Sequence, residues 1–461
     1  MKIAICASEV VPFAKTGGLA DVAGALPQAL SKEGQDVIIV MPKYKGIEGK
    51  FKLTKVSDGV QYAALGEKIK VYFIENDLYF NRDSLYSTKT GDYPDNLERF
   101  SYYSKKAVEL LKKIKFKADI VHVHDWQASL MPVYLKKFFS KDTFYKNMRT
   151  LLTIHNMGYQ GLFPGEEFPK LGLDQELFSM DGLEFFGRIN ILKGGLLFSD
   201  IINTVSPTYS REIRTEEFGF GLEGVLNDRG DSLFGILNGL DYSIWNPETD
   251  GFILKKFSVK APDGKIKNKE ELQKICSLAV DKDIPLLGMV SRLAEPKGFD
   301  IICDGIEQLC KMKVQLVILG TGDEKYHDIL TRIAKKYPKT VSLNARFDDP
   351  LAHKIYAGSD IFLMPSNYEP CGLGQLIAFK YGSIPLVFKT GGLADTVNKD
   401  NGFIFDAYNK DALLQTIKQA VTLFKDKKAW AGLVKNAMHL DFSWEKSAKK
   451  YLELYAKAKA K

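Results

Sequence analysis

Long apolar runs are what this sequence most conspicuously lacks. No stretch approaches the roughly 18 residues that a membrane-spanning helix requires, which argues against a helical membrane protein. The first apolar stretch, Ile3 to Ala7, is short and is stopped by Glu9, so it does not read as a signal peptide. A motif already under way at Lys15 leaves no room ahead of it for a transit peptide. Cysteine is scarce: Cys6, Cys276, Cys303, Cys310 and Cys371 are odd in number and contain no CxxC pair. A reducing, cytoplasmic setting therefore fits better than a disulfide framework. Blocks of one charge are missing too. The net charge of +7 is modest for 461 residues, and the lysines are scattered except in the closing KSAKKYLELYAKAKAK. A nucleic-acid binder is therefore not expected, whereas a small anionic substrate suits the balance.

What is present is an ordinary globular composition, 45% hydrophobic and 26% charged. At a prior of about 150 residues per domain, this length suggests two or three domains. The heptapeptide KTGGLAD occurs twice, at Lys15–Asp21 and at Lys389–Asp395. Each copy follows a strand pattern and opens a helix pattern. Before the first copy Lys2 to Ala7 reads as a buried strand; after it Leu19, Val22, Ala23, Leu26 and Leu30 form one apolar helix face. Further strands are expected at 36–40, 118–123, 150–155, 200–205 and 233–237, then at 284–290, 314–320, 360–365, 383–388 and 401–405. The turn-rich NGLDYSIWNPETDG, 238–251, separates two such series. A last helix from about Ser443 has Trp444, Tyr451, Leu452 and Tyr455 as its apolar positions. The glycines of KTGG allow a ligand to approach the backbone closely, and a helix N-terminus favours an anion. In open α/β sheets ligands sit beyond the carboxyl ends of the strands. One copy in each half, on two facing sheets, would place both at one cleft.

Several motifs together are highly specific: SEVVPFAKTGGLADVAGALPQAL, YPDNLERF, HVHDWQASL, TIHNMGYQG, NTVSPTYSREI, GILNGLDYSIWNPETD, SRLAEPKGFD, SNYEPCGLGQLIAFKYG and KTGGLADTV. Over essentially the whole chain the sequence resembles the bacterial glycogen synthases and plant starch synthases. The resemblance implies an α/β protein of the GT-B fold: two Rossmann-like domains facing across a deep cleft, with a C-terminal helix crossing back to the N-terminal domain. The expected division is 1–242, 243–440 and a returning helix at 441–461. The implied activity is transfer of glucose from ADP-glucose to the non-reducing end of an α-1,4-glucan, glycogen or starch, with retention of configuration. No cofactor and no metal are expected.

The chemistry can be laid out site by site. Breaking the bond between sugar C1 and a diphosphate builds negative charge on the leaving group, and fixed cations favour that transition state. Arg292 and Lys297 share one short loop in SRLAEPKG, and the resemblance assigns both to the diphosphate, with Lys15 and the amides of Gly17 and Gly18 as the other wall. Glu369 precedes a helix, and in the resembling enzymes it touches the donor glucose; the amides around Cys371, Gly372 and Leu373 bind sugar or phosphate. Ile377 stands where many relatives carry a second Glu, and Gly374 where many have Thr. Cys371 has no assignable activating base, so it is not read as a nucleophile. Thr390 and Gly391 belong to the second KTGGLAD loop, on the donor. His155 and Asn156, at the end of TIHN, are implied to lie by the reacting sugar.

Three residues have two readings each. Asp125 either caps the following helix or lies at the donor–acceptor junction. Asp21 either contacts the donor or complements its helix dipole. Tyr93 of YPDN either binds the glucan acceptor or packs in its loop. Phe347 aligns with a position where relatives stack an aromatic on the nucleobase. His122 and His124 point to one face of a strand, but no third metal ligand is evident. With no certain nucleophile, a front-face path is expected, in which the departing diphosphate oxygen takes the proton of the acceptor O4. Rivals are a UDP-glucose-dependent enzyme of the same fold, an inactive glucan-binding protein, and a dehydrogenase, which would want GxGxxG where KTGGLAD stands.

Overall fold

Parallel strands linked by helices build both halves of the chain. A computed structural model describes residues 1–461. The chain divides into two units, Met1–Gly239 together with Trp444–Lys461, and Leu240–Ser443.

The main-sheet strands of the first unit are β1 (Lys2–Cys6), β2 (Asp36–Pro42), β3 (Thr54–Ser57), β4 (Val60–Leu65), β5 (Ile69–Ile74), β6 (Ile120–His124), β7 (Arg149–Ile154), β8 (Ile201–Thr204) and β9 (Leu233–Gly235). They form one sheet in the order β9-β8-β7-β6-β1-β2-β5-β4-β3. All neighbours are parallel except β3–β4 and β4–β5, which are antiparallel hairpin pairs at one edge. Strand β1 is fully internal, and its IAIC residues are buried on both faces, the expected pattern for a parallel sheet covered by helices. From β1 the chain winds outward to β2 and the hairpins, then returns on the other side through β6, β7, β8 and β9. The direction of winding therefore reverses between β1 and β6, and the crevice at the carboxyl ends of those strands is the natural ligand position.

Helix α1 (Gly18–Lys32) follows β1, and its predicted apolar face is the buried one: Val22, Ala23, Leu26 and Leu30 are fully enclosed and Leu19 nearly so. The final helix, α2 (Trp444–Ala460), belongs to this unit as well. Tyr451 and Tyr455 are fully buried in it, whereas Leu452 is only half-buried and Leu454 takes the core position instead. Its return is pinned by Ser447 Oγ donating to Leu237 O at 2.8 Å and by Lys32–Glu445 and Lys459–Asp119 ion pairs of 2.9 and 2.8 Å.

The second unit holds six strands, β10 (Leu286–Val290), β11 (Gln315–Leu319), β12 (Val341–Asn344), β13 (Ile361–Met364), β14 (Ile384–Phe388) and β15 (Phe403–Phe405). Their order is β12-β11-β10-β13-β14-β15, all parallel. Winding reverses between β10 and β13. The strands expected from sequence are present in both units. The edge hairpin β3–β4, strand β5 and the edge strand β12 were not anticipated. β3 and β12 are short and polar, without the apolar run that marks a central strand.

Candidate active site

The loop after β1 is organised by a residue that the motif reading passed over. Glu9 is buried, 4% exposed. Its carboxylate accepts from the Thr16 backbone N–H, from Thr16 Oγ1 at 2.6 Å and from Gly17 N–H at 3.2 Å. Tyr86 adds a fourth donor, its hydroxyl reaching Glu9 Oε1 at 2.7 Å, while Ser8 Oγ lies 2.7 Å from the same hydroxyl. A carboxylate with four donors is well satisfied even when buried. The Gly17 N–H, expected to face a diphosphate, is thus already taken by Glu9. Gly18, the first residue of α1, stays exposed, and a Cβ added to either glycine would meet nothing within 4 Å. Lys15 pairs with Asp21 at 2.7 Å on the surface of this loop.

Tyr86 ties the loop to Tyr93. The Tyr93 N–H donates to Tyr86 O at 3.0 Å, and the guanidinium carbons of Arg82 and Arg99 lie 4.7 and 4.9 Å from the centroid of its half-buried ring. Arg99 is fully buried and donates to Tyr79 O, Asn96 Oδ1 and Leu85 O, so its contact with the ring is rigidly held.

At the carboxyl ends of β6 and β7 the histidines form a stack. His122 and His124 are fully buried with ring centroids 4.2 Å apart. The two nitrogens of His122 meet hydroxyls, Nδ1 that of Tyr455 at 2.8 Å and Nε2 that of Thr153 at 2.7 Å. Asn203 Nδ2 extends the network, reaching Thr153 Oγ1 at 3.3 Å and the Tyr451 hydroxyl at 3.1 Å. His124 Nδ1 lies 2.9 Å from Nε2 of the partly exposed His155. Burial holds His122 and His155 down to about 3 and His124 well below the usual imidazole range, so all three rings are neutral at pH 7.

Asp125 does not cap the helix it begins. It has φ of +52°, and its carboxylate turns to accept the His155 N–H at 2.6 Å. Burial pushes this carboxyl up to about 7, against the opposing pull of the His155 and Asn156 backbone N–H groups. Its geometry makes it the clamp of the His155–Asn156 turn. Asn156 Oδ1 in turn accepts Gly158 N–H at 2.9 Å.

In the second unit, the loops after β10 and β13, the two strands at the winding reversal, carry the charged set. Lys297 Nζ and Glu369 Oε2 form an ion pair of 2.6 Å, each mostly shielded from solvent. Glu369 lies outside the helix Gly374–Lys380, so it is not a first-turn residue complementing that dipole. Arg292 is exposed and its guanidinium forms no ion pair or hydrogen bond. The second KTGGLAD copy packs directly beneath Glu369. Gly392 N–H lies 3.2 Å from both Glu369 O and Pro370 O. Gly391 has φ of +42°, and a Cβ there would stand 2.1 Å from Glu369 O; one on Gly392 would stand 2.0 Å from Cys371 O. Thr390 is buried at the start of the helix Gly391–Thr396, Cys371 is buried, and Gly372 has φ of +72° against Gln375. Leu373 precedes Gly374 at the helix start. Phe347, on the segment after β12, is 92% exposed and stacks on no other ring.

Two family models match the chain, "Starch synthase catalytic domain" over residues 2–228 and "Glycosyl transferases group 1" over residues 271–438. The glycogen synthase of Geotalea daltonii is 50% identical over 481 residues, which cover 100% of this chain and 99% of that protein. The glycogen synthase of Thermotoga petrophila is 44% identical over 488 residues, with 100% and 99% covered. The chain belongs to the glycogen synthase family. It is accordingly a hexosyltransferase with two α/β domains of the GT-B type. Among solved structures it is similar to the catalytic domain of starch synthase IV from Arabidopsis thaliana, bound to ADP and acarbose, with a TM-score of 0.90, 34% identity and 100% and 99% of the chains covered. A sucrose-phosphate synthase from Thermosynechococcus elongatus, at 17% identity and a TM-score of 0.62, shares the fold.

Within this glycogen synthase family chain, the first unit gathers Lys15, Gly17, Gly18, Asp21, Asp125, His155 and Asn156 on loops and helix starts beyond the carboxyl ends of its central strands, and ties Tyr93 to them through Tyr86 and Glu9. The second gathers Lys297, Glu369, Cys371, Gly372, Leu373, Thr390 and Gly391, with Arg292 on the same loop as Lys297 and Phe347 apart on its own segment. Sequence reasoning missed Glu9 and Tyr86 as site residues, and weighed His124 only with His122 as a metal pair, not as the partner of His155. Glu9 left one signal, a charge directly after a buried strand. His124 left its place at the end of β6, two residues after His122. No helix is long and apolar enough to cross a membrane.

Proposed function

We propose that this chain moves glucose from ADP-glucose to the non-reducing end of an α-1,4-glucan, with retention at C1. The observation that carries the reading is the Lys297–Glu369 pair of 2.6 Å, on the two connections at the winding reversal of a parallel sheet, one of which also carries Arg292. A cation held there by a carboxylate is preorganised for a sugar-linked diphosphate, since no reorganisation is needed as charge develops. Arg292, Lys297 and Lys15 grip the diphosphate, and Phe347 offers its exposed ring to the adenine. Glu369, with the amides around Cys371, Gly372 and Leu373, binds the donor glucose. Thr390 and Gly391 face the donor, on the segment whose Gly392 N–H holds the Glu369 loop in place. Gly17 and Gly18 allow close approach, and Gly18 supplies the open amide. His155 and Asn156 address sugar hydroxyls, positioned by Asp125, while Asp21 orients Lys15. Tyr93 receives the glucan.

In the reaction the C1–O bond to the diphosphate breaks with its electron pair and the bond from acceptor O4 to C1 forms. The O4 proton passes to the departing diphosphate oxygen on the same face, so configuration is retained. The ADP and acarbose in the Arabidopsis structure support the choice of nucleotide and of glucan acceptor. Five free cysteines suit a cytoplasmic enzyme. The test supplies glycogen with ADP-glucose or UDP-glucose and measures release of nucleoside diphosphate. ADP release with glycogen elongation is expected; firm glycogen binding without transfer from either donor would refute it.

A further inference from the structure

His124 has one nitrogen bonded and the other sealed away. Its Nδ1 meets His155 Nε2 at 2.9 Å, and its Nε2 is buried with no partner. The adjacent His122 ring cannot supply one, because both its nitrogens are engaged by Tyr455 and Thr153. A bond between two neutral imidazoles has one N–H and one bare nitrogen, so two arrangements exist. If His155 Nε2 carried the proton, His124 would accept at Nδ1 and hold its own proton on Nε2, a buried N–H with no acceptor. If His124 Nδ1 donates, its Nε2 is only a bare lone pair. Orphaned buried N–H groups are the rarer and costlier of the two. Burial keeps both rings neutral, so a doubly protonated ring does not enter.

We infer that His124 donates through Nδ1 and thereby locks His155 in the tautomer with a bare Nε2 and a protonated Nδ1. His124 is then a positioning residue for the sugar site. His155 is partly exposed, and its Nδ1 bonds to no group of the chain. That nitrogen presents a hydrogen-bond donor to a donor-sugar hydroxyl. It has no lone pair for the acceptor O4 proton, and Nε2 has already spent its own on His124. His155 is therefore excluded as the base, which leaves the diphosphate oxygen to take that proton. This consequence rests on the proposed function; the tautomer itself does not.

The test uses the full chain labelled with 15N in its six histidines. Long-range proton–nitrogen spectra at neutral pH, assigned by single substitutions, report which ring nitrogen is protonated. Bare Nε2 and protonated Nδ1 are expected for His155, and the same for His124. A protonated His155 Nε2 overturns the inference. In a second arm, His124→Phe keeps a ring against His122 and deletes the donor. It should mix the His155 tautomers and lower kcat about tenfold, the scale of one mispaired hydrogen bond. His124→Asn, whose amide reaches the region of Nδ1, should restore both. Equal rates and an unchanged His155 spectrum in the two variants would also overturn the inference. Should His124→Phe fail to fold, the wild-type spectrum still decides. Absence of glucose transfer by the wild-type chain would instead strike the proposed function and leave the tautomer result standing.

Discussion

Lys297 and Glu369 are each partly buried, and each is the other's only ion-pair partner. Removing one strands the other, so a substitution does two things at once. Lys297→Ala should lower kcat by about 10²–10³, the worth of one contact aimed at developing charge, in an assay of ADP release. Because the two side chains act as one unit, Lys297→Ala combined with Glu369→Gln should cost far less than the sum of the single losses. Fully additive losses would mean that the pair is incidental. The buried histidines make a separate prediction about pH. His122, His124 and His155 are charged when unfolded below about 6.5 and neutral when folded, so the stability they contribute is present above that pH and is lost as pH falls towards 3. Three protons taken up on unfolding give a slope of up to about 4 kcal/mol per pH unit. Asp125 runs the other way: its raised carboxyl contributes stability below about 4 that is lost as pH rises through 7, opposing with about 1.4 kcal/mol per unit. The first unit should therefore be weaker at pH 5 than at pH 6.5 by about 3 kcal/mol, measured as a shift in urea midpoint. At this scale the motif-borne residues were legible in the sequence because their chemistry is local. Glu9 and His124 were not, because their roles consist of partners 7 to 77 residues away, brought together only by folding.

The two KTGGLAD segments show how one string becomes two different elements. The first copy opens a helix of 15 residues with its glycines in open space, and the second opens one of six with its glycines wedged under the Glu369 loop. The same substitution should therefore give opposite outcomes. Gly392→Ala places a Cβ 2.0 Å from Cys371 O, so backbone must move; a loss of about 2 kcal/mol or more and displacement of Glu369 are expected, seen as a lower Tm and a lower kcat. Gly18→Ala meets no protein atom, so Tm should stay nearly constant while the KM for ADP-glucose rises, because the added methyl group stands where the donor approaches. Identical effects at both positions would show the repeat to be structural in both places. Sequence reading expected each copy to follow a strand and open a helix, and both do. It gave no means of telling wedged glycines from open ones, since the difference lies in what crosses above them. Two of the unanticipated strands have a similar cause: β3 is mostly exposed and β12 lies at a sheet edge, so neither carries a core pattern; β5, IKVYFI with five of its six residues buried, does carry one and was legible.

For the molecule as a whole, the weakest dependence on sequence order lies at its end. The first unit is closed by a helix that arrives after the entire second unit has been traversed. Periodicity alone marked α2 as amphipathic; only the resemblance indicated which domain it rejoins. In the fold it buries Trp444, Ala448, Tyr451, Leu454, Tyr455 and Ala458, and it hands the Tyr455 and Tyr451 hydroxyls to His122 and Asn203. Each of the large side chains is worth about 1.5–3 kcal/mol of burial, so four of them together rival the whole stability of a typical domain, about 5–15 kcal/mol. Losing the hydroxyls also leaves His122 Nδ1 and Asn203 short of partners in a fully buried network. A chain ending at Ser443 should therefore lose the cooperative unfolding of its first unit, while the second, Leu240–Ser443, which contributes nothing to that network, keeps its own transition. Calorimetry of the truncated and full-length chains distinguishes the cases. Two undiminished transitions in the truncated chain would show that α2 is an accessory, and that the histidine stack holds without the tyrosines at its back.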